Sequence, residues 1–127
     1  MNTVQLNEVH FDISLPTLKT GSVFGALSEE SIDYLLQRGI IYSAVNEESI
    51  FQYDDKGDSF YTVLHGSLDY LKHHDNQFVH TRFIEFGESI GFVSMIALHD
   101  RVGNLYAKED SLLLEISSQL FSDFHDH

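Results

Sequence analysis

One cation beside a glycine-bounded apolar run gives this sequence its clearest candidate for chemistry. The stretch Gly87–Gly103, GESIGFVSMIALHDRVG, begins with glycines, continues through a short apolar run that contains the acceptor Ser94, and ends just beyond Arg101. An arginine presents a fork of donors that suits a phosphate or a carboxylate, and backbone N–H groups at the start of a helix attract the same kind of group. The pattern predicts a site that holds a small anion.

The charge of the whole chain limits the partners that such a site can serve. The 127 residues include 20 acidic and seven basic side chains, which gives a formal net charge of -13 at pH 7. The basic residues are scattered: Lys19, Arg38, Lys56, Lys72, Arg82, Arg101 and Lys108. We expect no nucleic acid and no membrane surface as a direct partner, because both are bound by clustered Lys and Arg. An anionic small molecule would need a local positive site set against this overall charge.

Composition sets the broad class of the protein. A hydrophobic content of 43% suits a globular protein with one core, and no apolar run approaches the roughly 18 residues of a membrane span. The first residues, MNTVQLNEVHFDIS, lack the basic and apolar regions of a signal peptide. The absence of cysteine excludes disulfides, thiolate zinc sites and cysteine nucleophiles. We expect a cytoplasmic protein.

The elements that must position the central stretch begin with a helix, predicted over residues 25–39. Ser28 is a suitable N-cap, and the acidic Glu29 and Glu30 follow in the first turn, where the helix dipole favours them. Gly39 is suited to end the helix as the C′ residue.

A domain boundary is drawn before residue 24. Residues 1–23 are predicted to form an irregular arm whose apolar side chains dock on the core, namely Phe11, Ile13, Leu15 and Leu18.

From residue 40 onward the sequence is typical of an antiparallel β-protein. Short runs rich in Ile, Val, Tyr and Phe alternate with turn residues roughly every 8–12 positions. The predicted strands are Ile40–Val45, Ser49–Tyr53, Ser59–His65, Ser67–His73, Phe78–Phe86, Asn104–Ala107 and Leu112–Ser117. The central stretch contributes a short helix, and the tail 118–127 is predicted to form one or two helical turns with Ser118 as the N-cap.

Ile50–Leu71, followed by FGESIG at Phe86–Gly91, resembles the cyclic nucleotide-binding domain family, which includes catabolite-activator-type sensors and protein kinase A regulatory subunits. The shared pattern is an apolar run, a turn with an aspartate, a tyrosine-bearing strand that ends in glycine, and a later glycine–acid pair. The matching residues are Asp55, Phe60, Tyr61, Leu64, Gly66, Gly87, Glu88 and Gly91. The resemblance covers about residues 24–124. It implies an all-β jelly-roll (a double-stranded β-helix barrel) of eight strands with short flanking helices, formed here by a domain over residues 24–127.

The resemblance also implies a ligand site against the short helix, which in this family is called the phosphate-binding cassette. The site residues carried over are Gly91, Phe92, Val93, Ser94, Arg101, Val102 and Gly103. Arg101 fits the arginine that pairs with the cyclic phosphate, and Gly91 fits the cassette glycine. Phe92 departs from the pattern, because the family places there a glutamate that accepts from the ribose hydroxyl. The ring of Phe92 either closes the pocket as part of the core or forms a wall for another ligand.

Other positions also depart from the family pattern. Val102 stands where a small hydroxyl residue often follows the arginine. Asp54 replaces the glycine expected before the turn aspartate, and Gly57 could supply that turn instead. The long C-terminal helix that caps the base in this family would begin about where this sequence ends.

The function implied is a stand-alone, non-catalytic regulatory domain. It would bind a cyclic mononucleotide such as cAMP or cGMP and signal to a protein partner when the Gly91–Arg101 segment closes onto the C-terminal helix. The alternative is a degenerate member of the same fold that binds no nucleotide and serves as a protein-interaction module. In that case Arg101 would be a loop residue paired with Asp100 or Glu88. No cofactor other than the nucleotide is implied, and an oligomer is left open.

The eight histidines raise a third reading, a metal site of the cupin type. Such a site needs two histidines one residue apart on one face of a strand. His73 and His74 are adjacent, so they would point to opposite faces. We therefore expect these two, His80 and the terminal His125-Asp126-His127 to be solvated rather than to bind metal.

Overall fold

The computed structural model of the chain describes residues 1–9, 18 and 23–125, apart from the side chain of His125. The strands in this part are β1 Asn2–Val4, β2 Ile40–Ala44, β3 Ser49–Phe51, β4 Ser59–His65, β5 Leu68–His74, β6 Gln77–Ile84, β7 Ser89–Ile90, β8 Gly103–Ala107 and β9 Ser111–Ser117. The helices are α1 Glu29–Arg38, α2 Phe92–Ala97 and α3 Ser118–His125, with short 3-10 turns at Leu6–Glu8 and Phe24–Ala26.

Two antiparallel sheets make up the body of the protein. One has the strand order β1-β2-β9-β4-β7, and the other has the order β3-β8-β5-β6. In the first sheet β9 pairs with β2 on one side and with β4 on the other, so Leu114 lies opposite both Ile41 and Thr62. The predicted all-β jelly-roll with short flanking helices is confirmed.

The core has two parts, which lie on the two faces of the five-stranded sheet. Alternate side chains of β9 belong to different parts: Leu114 and Ile116 pack with α1 and α3, whereas Leu113 packs with the second sheet. Because both faces are covered, β9 and β4 are buried along most of their length. This explains why the sequences of these strands are mostly apolar and do not alternate between apolar and polar residues.

The N-terminal arm is more regular than predicted. Asn2–Val4 adds to the free edge of β2, where Val4 lies opposite Ile41. The strand was missed because three residues are too few to show a period of two. Leu18 is fully buried, as predicted. Phe11, Ile13 and Leu15 lie outside the described residues, and the domain boundary at residue 24 remains a prediction.

Helix α1 begins as predicted but ends for a different reason. The Oγ of Ser28 accepts a hydrogen bond from the backbone N–H of Ser31 at 3.2 Å, which confirms the N-cap. Residues 24–26 form a separate 3-10 turn, so the α-helix itself starts at Glu29. Gly39 ends the helix as predicted, but as the C-cap residue rather than C′, with an ordinary φ of -70°. A side chain there would lie 2.7 Å from Leu114 Cδ1, so glycine is needed for close packing on β9.

The C-terminal helix is capped one residue earlier than predicted. The Oγ of Ser117, not of Ser118, accepts from the backbone N–H of Leu120 at 3.1 Å. The backbone N–H of Ser118 instead donates to the carbonyl of Asp58 at 2.8 Å, which ties the start of α3 to the loop before β4. Within the described part of the chain, no helix is both long and apolar enough to cross a membrane.

Candidate functional site

A cavity of about 850 Å³ lies beside α2 and the inner face of β5 and β6. Such a volume falls within the range of small-molecule sites, roughly 300–1,000 Å³. Its walls are largely apolar and aromatic. The lining residues are Val23, Ala26, Leu27, Phe51, Tyr70, Lys72, Thr81, Arg82, Ser89, Ile90, Gly91, Phe92, Val93, Ser94, His99, Arg101, Val102 and Phe121.

Six of the seven site residues taken from the sequence line this cavity. They are Gly91, Phe92, Val93, Ser94, Arg101 and Val102. Gly103 does not line it, because it lies in β8, where a side chain would come within 2.4 Å of the carbonyl oxygen of Leu71. Gly103 therefore allows β8 to pack against β5, and a side chain there would also come within 2.9 Å of the ring of Tyr70, which lines the cavity.

The backbone of Arg101 is held by the turn that precedes β4. Its N–H donates to the carbonyl of Asp55 at 2.8 Å, and its own carbonyl accepts from the N–H of Asp54 at 3.0 Å. Asp54 takes the left-handed conformation itself, with a φ of 71°, so the suggestion that Gly57 supplies this turn is wrong. Gly57 instead lets the chain approach His99, whose carbonyl oxygen would lie 2.4 Å from a side chain at that position.

The guanidinium group of Arg101 is buried, with 3% of the residue exposed. Its Nη2 donates to the carbonyl of Ser59 at 2.7 Å and lies 3.2 Å from the Ser59 Oγ, and its Nη1 donates to the carbonyl of Gly91 at 3.2 Å. Gly91 has a φ of 93°, which favours glycine, and a side chain there would also meet Arg101 Nη1 at 2.5 Å. Arg101 thus joins the turn, β4 and the cassette.

No carboxylate pairs with Arg101 among the described residues. Glu88 lies 3.5 Å from Arg82 instead, so the alternative that pairs Arg101 with Glu88 or Asp100 is wrong. The Arg101 Nε has no hydrogen-bond partner in the described part of the chain. Its Cζ lies 4.4 Å from the centroid of the Phe51 ring, an arrangement that stabilises a cation.

Burial lowers the pKa of Arg101, and the nearby Tyr61 and Asp58 act in the opposite direction. The guanidinium is bonded to carbonyl oxygens and faces an aromatic ring, and the carboxylates of Asp58, Glu115 and Asp55 act on it without a direct ion pair. A buried cation without a direct ion pair is costly, and a bound anion in contact with it would lower that cost.

Two further cations meet Arg101 at the cavity, although the sequence shows them as scattered. Lys72 on β5 and Arg82 on β6 both line it, and none of its described lining residues is acidic. In a chain with a net charge of -13, the cavity wall thus carries three cations, although Glu88 pairs with Arg82 beside it. The pairing of β5 with β6 explains the convergence: Tyr70 lies opposite Arg82, and Lys72 is two residues beyond Tyr70 on the same face.

Phe92 does not fill the cavity. Its ring packs edge-on against Phe60 and Phe121, at centroid distances of 5.3 and 5.5 Å. The ring therefore belongs to the core beneath α3 and also forms part of the cavity wall. The position that holds a glutamate in the family still offers no acceptor, but the space beside it remains open.

The histidines do not come together in the described part of the chain. The ring of His73 stacks on Tyr53 with centroids 4.0 Å apart, and His80 Nε2 lies 2.8 Å from Asp69 Oδ1. No group of three His, Asp or Glu side chains in this part is close enough to hold a metal. The side chains of the terminal His125-Asp126-His127 lie outside the described residues.

The family model for the cyclic nucleotide-binding domain matches residues 43–127, which is more than half of the chain. The chain therefore belongs to the cyclic nucleotide-binding domain family. A comparison with curated proteins gave no match.

Solved structures with the same fold include three whose sequence identity to this chain is 19% or lower. A cyclic nucleotide-binding-like protein of Brucella abortus has a TM-score of 0.75 at 19% identity, with 91% of this chain and 100% of that chain covered. The regulatory domain of Toxoplasma gondii protein kinase A, solved with cAMP, has a TM-score of 0.77 at 16% identity, with 87% of this chain and 42% of that chain covered. The regulatory subunit of a cAMP-independent protein kinase A from Trypanosoma cruzi, bound to guanosine, has a TM-score of 0.76 at 16% identity, with 88% of this chain and 40% of that chain covered. This chain thus spans less than half of the length of the two kinase A structures.

Proposed function

We propose that this domain binds a small anionic ligand, a cyclic mononucleotide such as cAMP or cGMP, and reports its presence to a protein partner in the cytoplasm. The observation that carries the proposal is Arg101, a buried cation without a carboxylate partner in the described chain, at a cavity whose described lining residues include no acid. A cyclic phosphate would supply a negative charge in direct contact with this cation. The apolar and aromatic walls suit a base and a sugar ring.

The geometry supports a specific route from ligand to response. Arg101 Nη1 donates to the carbonyl of Gly91 at 3.2 Å, and a phosphate would compete for that donor. Loss of this bond frees the start of α2, where Phe92 contacts Phe121 of α3. The ligand would thereby favour a different position of the cassette against α3, which is a shift between two states of unequal ligand affinity. In this role the domain is a regulator and not a catalyst.

Calorimetric titration of the whole chain with cAMP and with cGMP tests the proposal. We expect saturable heat with at least one of them, and we expect Arg101→Lys to weaken that binding about tenfold or more, because a lysine cannot reproduce the arginine fork. Arg38→Lys makes the same exchange at an exposed arginine outside the lining, so it should bind as the parent does. Absence of heat at millimolar concentrations of both nucleotides would overturn the proposal, provided circular dichroism shows a folded chain.

A second candidate function is a protein-interaction module that binds no nucleotide. Two observations favour it: Phe92 stands where the family has its ribose acceptor, and the terminal nitrogens of Arg101 are already bonded to Ser59 and Gly91. The same titration separates the two functions. A partner that binds equally with and without saturating nucleotide would support the interaction module.

A further inference from the structure

We propose that the cavity contains a second anion subsite, formed by Lys72 and Arg82, and that its preferred ligand carries two negatively charged groups. This inference rests on the proposed function, because it concerns the same cavity. A ligand with one cyclic phosphate needs one cation, and Arg101 supplies it. The two cations on β5 and β6 line the same cavity and have no role in that arrangement.

The two basic side chains lie on one face of the second sheet. Tyr70 pairs with Arg82 across β5 and β6, and Lys72 follows Tyr70 by two residues. Diagonal neighbours of this kind are about 7–8 Å apart, which long side chains span. Thr81, which falls in the register shift between the Tyr70–Arg82 and Leu71–His80 pairs, also lines the cavity, and its hydroxyl donates to the carbonyl of Val79 at 3.2 Å.

The second subsite and Arg101 are anchored on one short segment of the chain. Arg82 Nη2 donates to the carbonyl of Ser89 at 3.2 Å, and Arg101 Nη1 donates to the carbonyl of Gly91 at 3.2 Å. Ser89 belongs to β7, and Gly91 is the left-handed residue directly before α2, so the two carbonyls are two residues apart along the chain. The two guanidinium groups bond to different carbonyls, so each can meet its own anionic group of one ligand.

The cations of the second subsite have at most one exposed ion pair between them. Arg82 faces Glu88 at 3.5 Å, but the side chains are 45% and 41% exposed, and such a pair is weak in water. Lys72 has no ion pair among the described residues. Both side chains can therefore turn to a bound anion without leaving a carboxylate buried.

The test compares three adenosine compounds by calorimetry: neutral adenosine, cAMP with one charge, and adenosine 3′,5′-bisphosphate with two separate phosphate groups. We expect the bisphosphate to bind at least about tenfold more tightly than cAMP, because each added charge-assisted contact contributes a factor of this size. Lys72→Gln and Arg82→Gln should each remove most of that gain, and the gain should shrink as salt is raised. Lys56→Gln, an equal change of charge at an exposed residue outside the lining, should keep it.

The outcomes separate this inference from the proposed function. If cAMP binds through Arg101 and the bisphosphate binds no better, the second subsite is disproved and the proposed function stands. If the bisphosphate binds and cAMP does not, the subsite is supported and the cyclic ligand is rejected. A gain that persists in both the Lys72→Gln and Arg82→Gln variants would also refute the subsite, and failure of all three compounds to bind would overturn both proposals.

Discussion

The ring of Phe92 stands edge-on to the ring of Phe121, with centroids 5.5 Å apart and an angle of 82° between the planes. Phe92 is the first residue of α2, and Phe121 lies in α3, so this contact joins the cavity wall to the C-terminal helix. Phe60 of β4 contacts both rings, at 5.3 and 5.9 Å. Three aromatic side chains from three elements therefore form one packed unit at the edge of the cavity.

Phe92→Ala should lower the free energy of unfolding by about 2 kcal/mol. The expected loss combines the removal of a half-buried aromatic side chain with the loss of two edge-on ring contacts. Urea denaturation followed by circular dichroism measures it. Ile96→Ala is the matched control on the same helix, because Ile96 is 57% exposed and should change stability by less than about 0.5 kcal/mol. Equal effects of the two substitutions would contradict the packing described for Phe92.

Phe92→Glu should separate the contribution of this position to core packing from its contribution to ligand binding. It removes the aromatic unit, so the chain becomes less stable, but it restores the acceptor that the family uses for the ribose hydroxyl. We expect tighter binding of a ribose-containing cyclic nucleotide relative to its 2′-deoxy analogue, as measured by calorimetry on both ligands. Phe92→Gln supplies an uncharged acceptor as the control. If neither variant discriminates between the ribose and deoxyribose ligands, Phe92 does not face the sugar.

Gly91→Ala should destabilise the domain by about 1–3 kcal/mol. The residue has a φ of 93°, which disfavours any side chain, and the added Cβ would lie 2.5 Å from Arg101 Nη1. Thermal unfolding of the single variant, of Arg101→Lys and of the double variant tests the cause. Because the collision involves the arginine fork, the double variant should lose less stability than the sum of the two single variants. Strict additivity would mean that backbone strain alone accounts for the cost.

Tyr61 should make stability fall in alkaline solution. Burial raises the pKa of Tyr61, and the adjacent Glu115 raises it further. When the pKa of a tyrosine is higher in the folded state than in the unfolded state, its contribution to stability is fully present below the unfolded pKa of about 10. That contribution is lost as the pH rises from the unfolded pKa through the folded pKa. Unfolding measured at increasing pH should show this loss, and Tyr61→Phe should reduce it. If the phenolate absorbance of all six tyrosines appears at the ordinary pKa in the folded chain, this expectation is wrong.

Ser117→Ala should weaken the C-terminal helix by about 1 kcal/mol, the usual effect of losing an N-cap. The Ser117 Oγ accepts from the N–H of Leu120, and α3 carries Phe121 of the aromatic unit. Amide hydrogen exchange of residues 118–124 measures the effect directly. Ser118→Ala is the control, because its backbone rather than its side chain makes the described bond to Asp58. Faster exchange in the Ser118 variant than in the Ser117 variant would overturn the assignment of the cap.

The sequence predicts the architecture well because most strands are long enough to show their character. Ser59–His65 was predicted to the residue, whereas Ser89–Ile90 is only two residues long and carries no periodic signal. Gly39 was correctly predicted to end the helix, but the sequence does not show that β9 packs against it, which is the reason a glycine is needed there. Local rules thus predicted the elements and missed the constraints imposed by their neighbours.

The candidate site was predictable only in part. Arg101 could be found because the motif around Gly91 resembles a family pattern. Lys72 and Arg82 could not be placed beside it, because their convergence depends on the register of β5 with β6 and on one irregularity in that pairing. A single-residue slip would turn each side chain to the opposite face. The position of a cation along the sequence therefore says little about the electrostatic potential inside the cavity.

Strand β9 has a consequence for how the protein is made. It lies between β2 and β4 in the five-stranded sheet, although it follows both in the sequence by more than 45 residues. Neither earlier strand has its main partner until Ser111–Ser117 has left the ribosome, so the sheet cannot form progressively during synthesis. The five-stranded sheet should become protease-resistant in one step when this segment emerges, whereas the strands of the second sheet, β3, β5, β6 and β8, all precede Ser111. Any quality control that acts during translation would therefore meet β2 and β4 without their main partner.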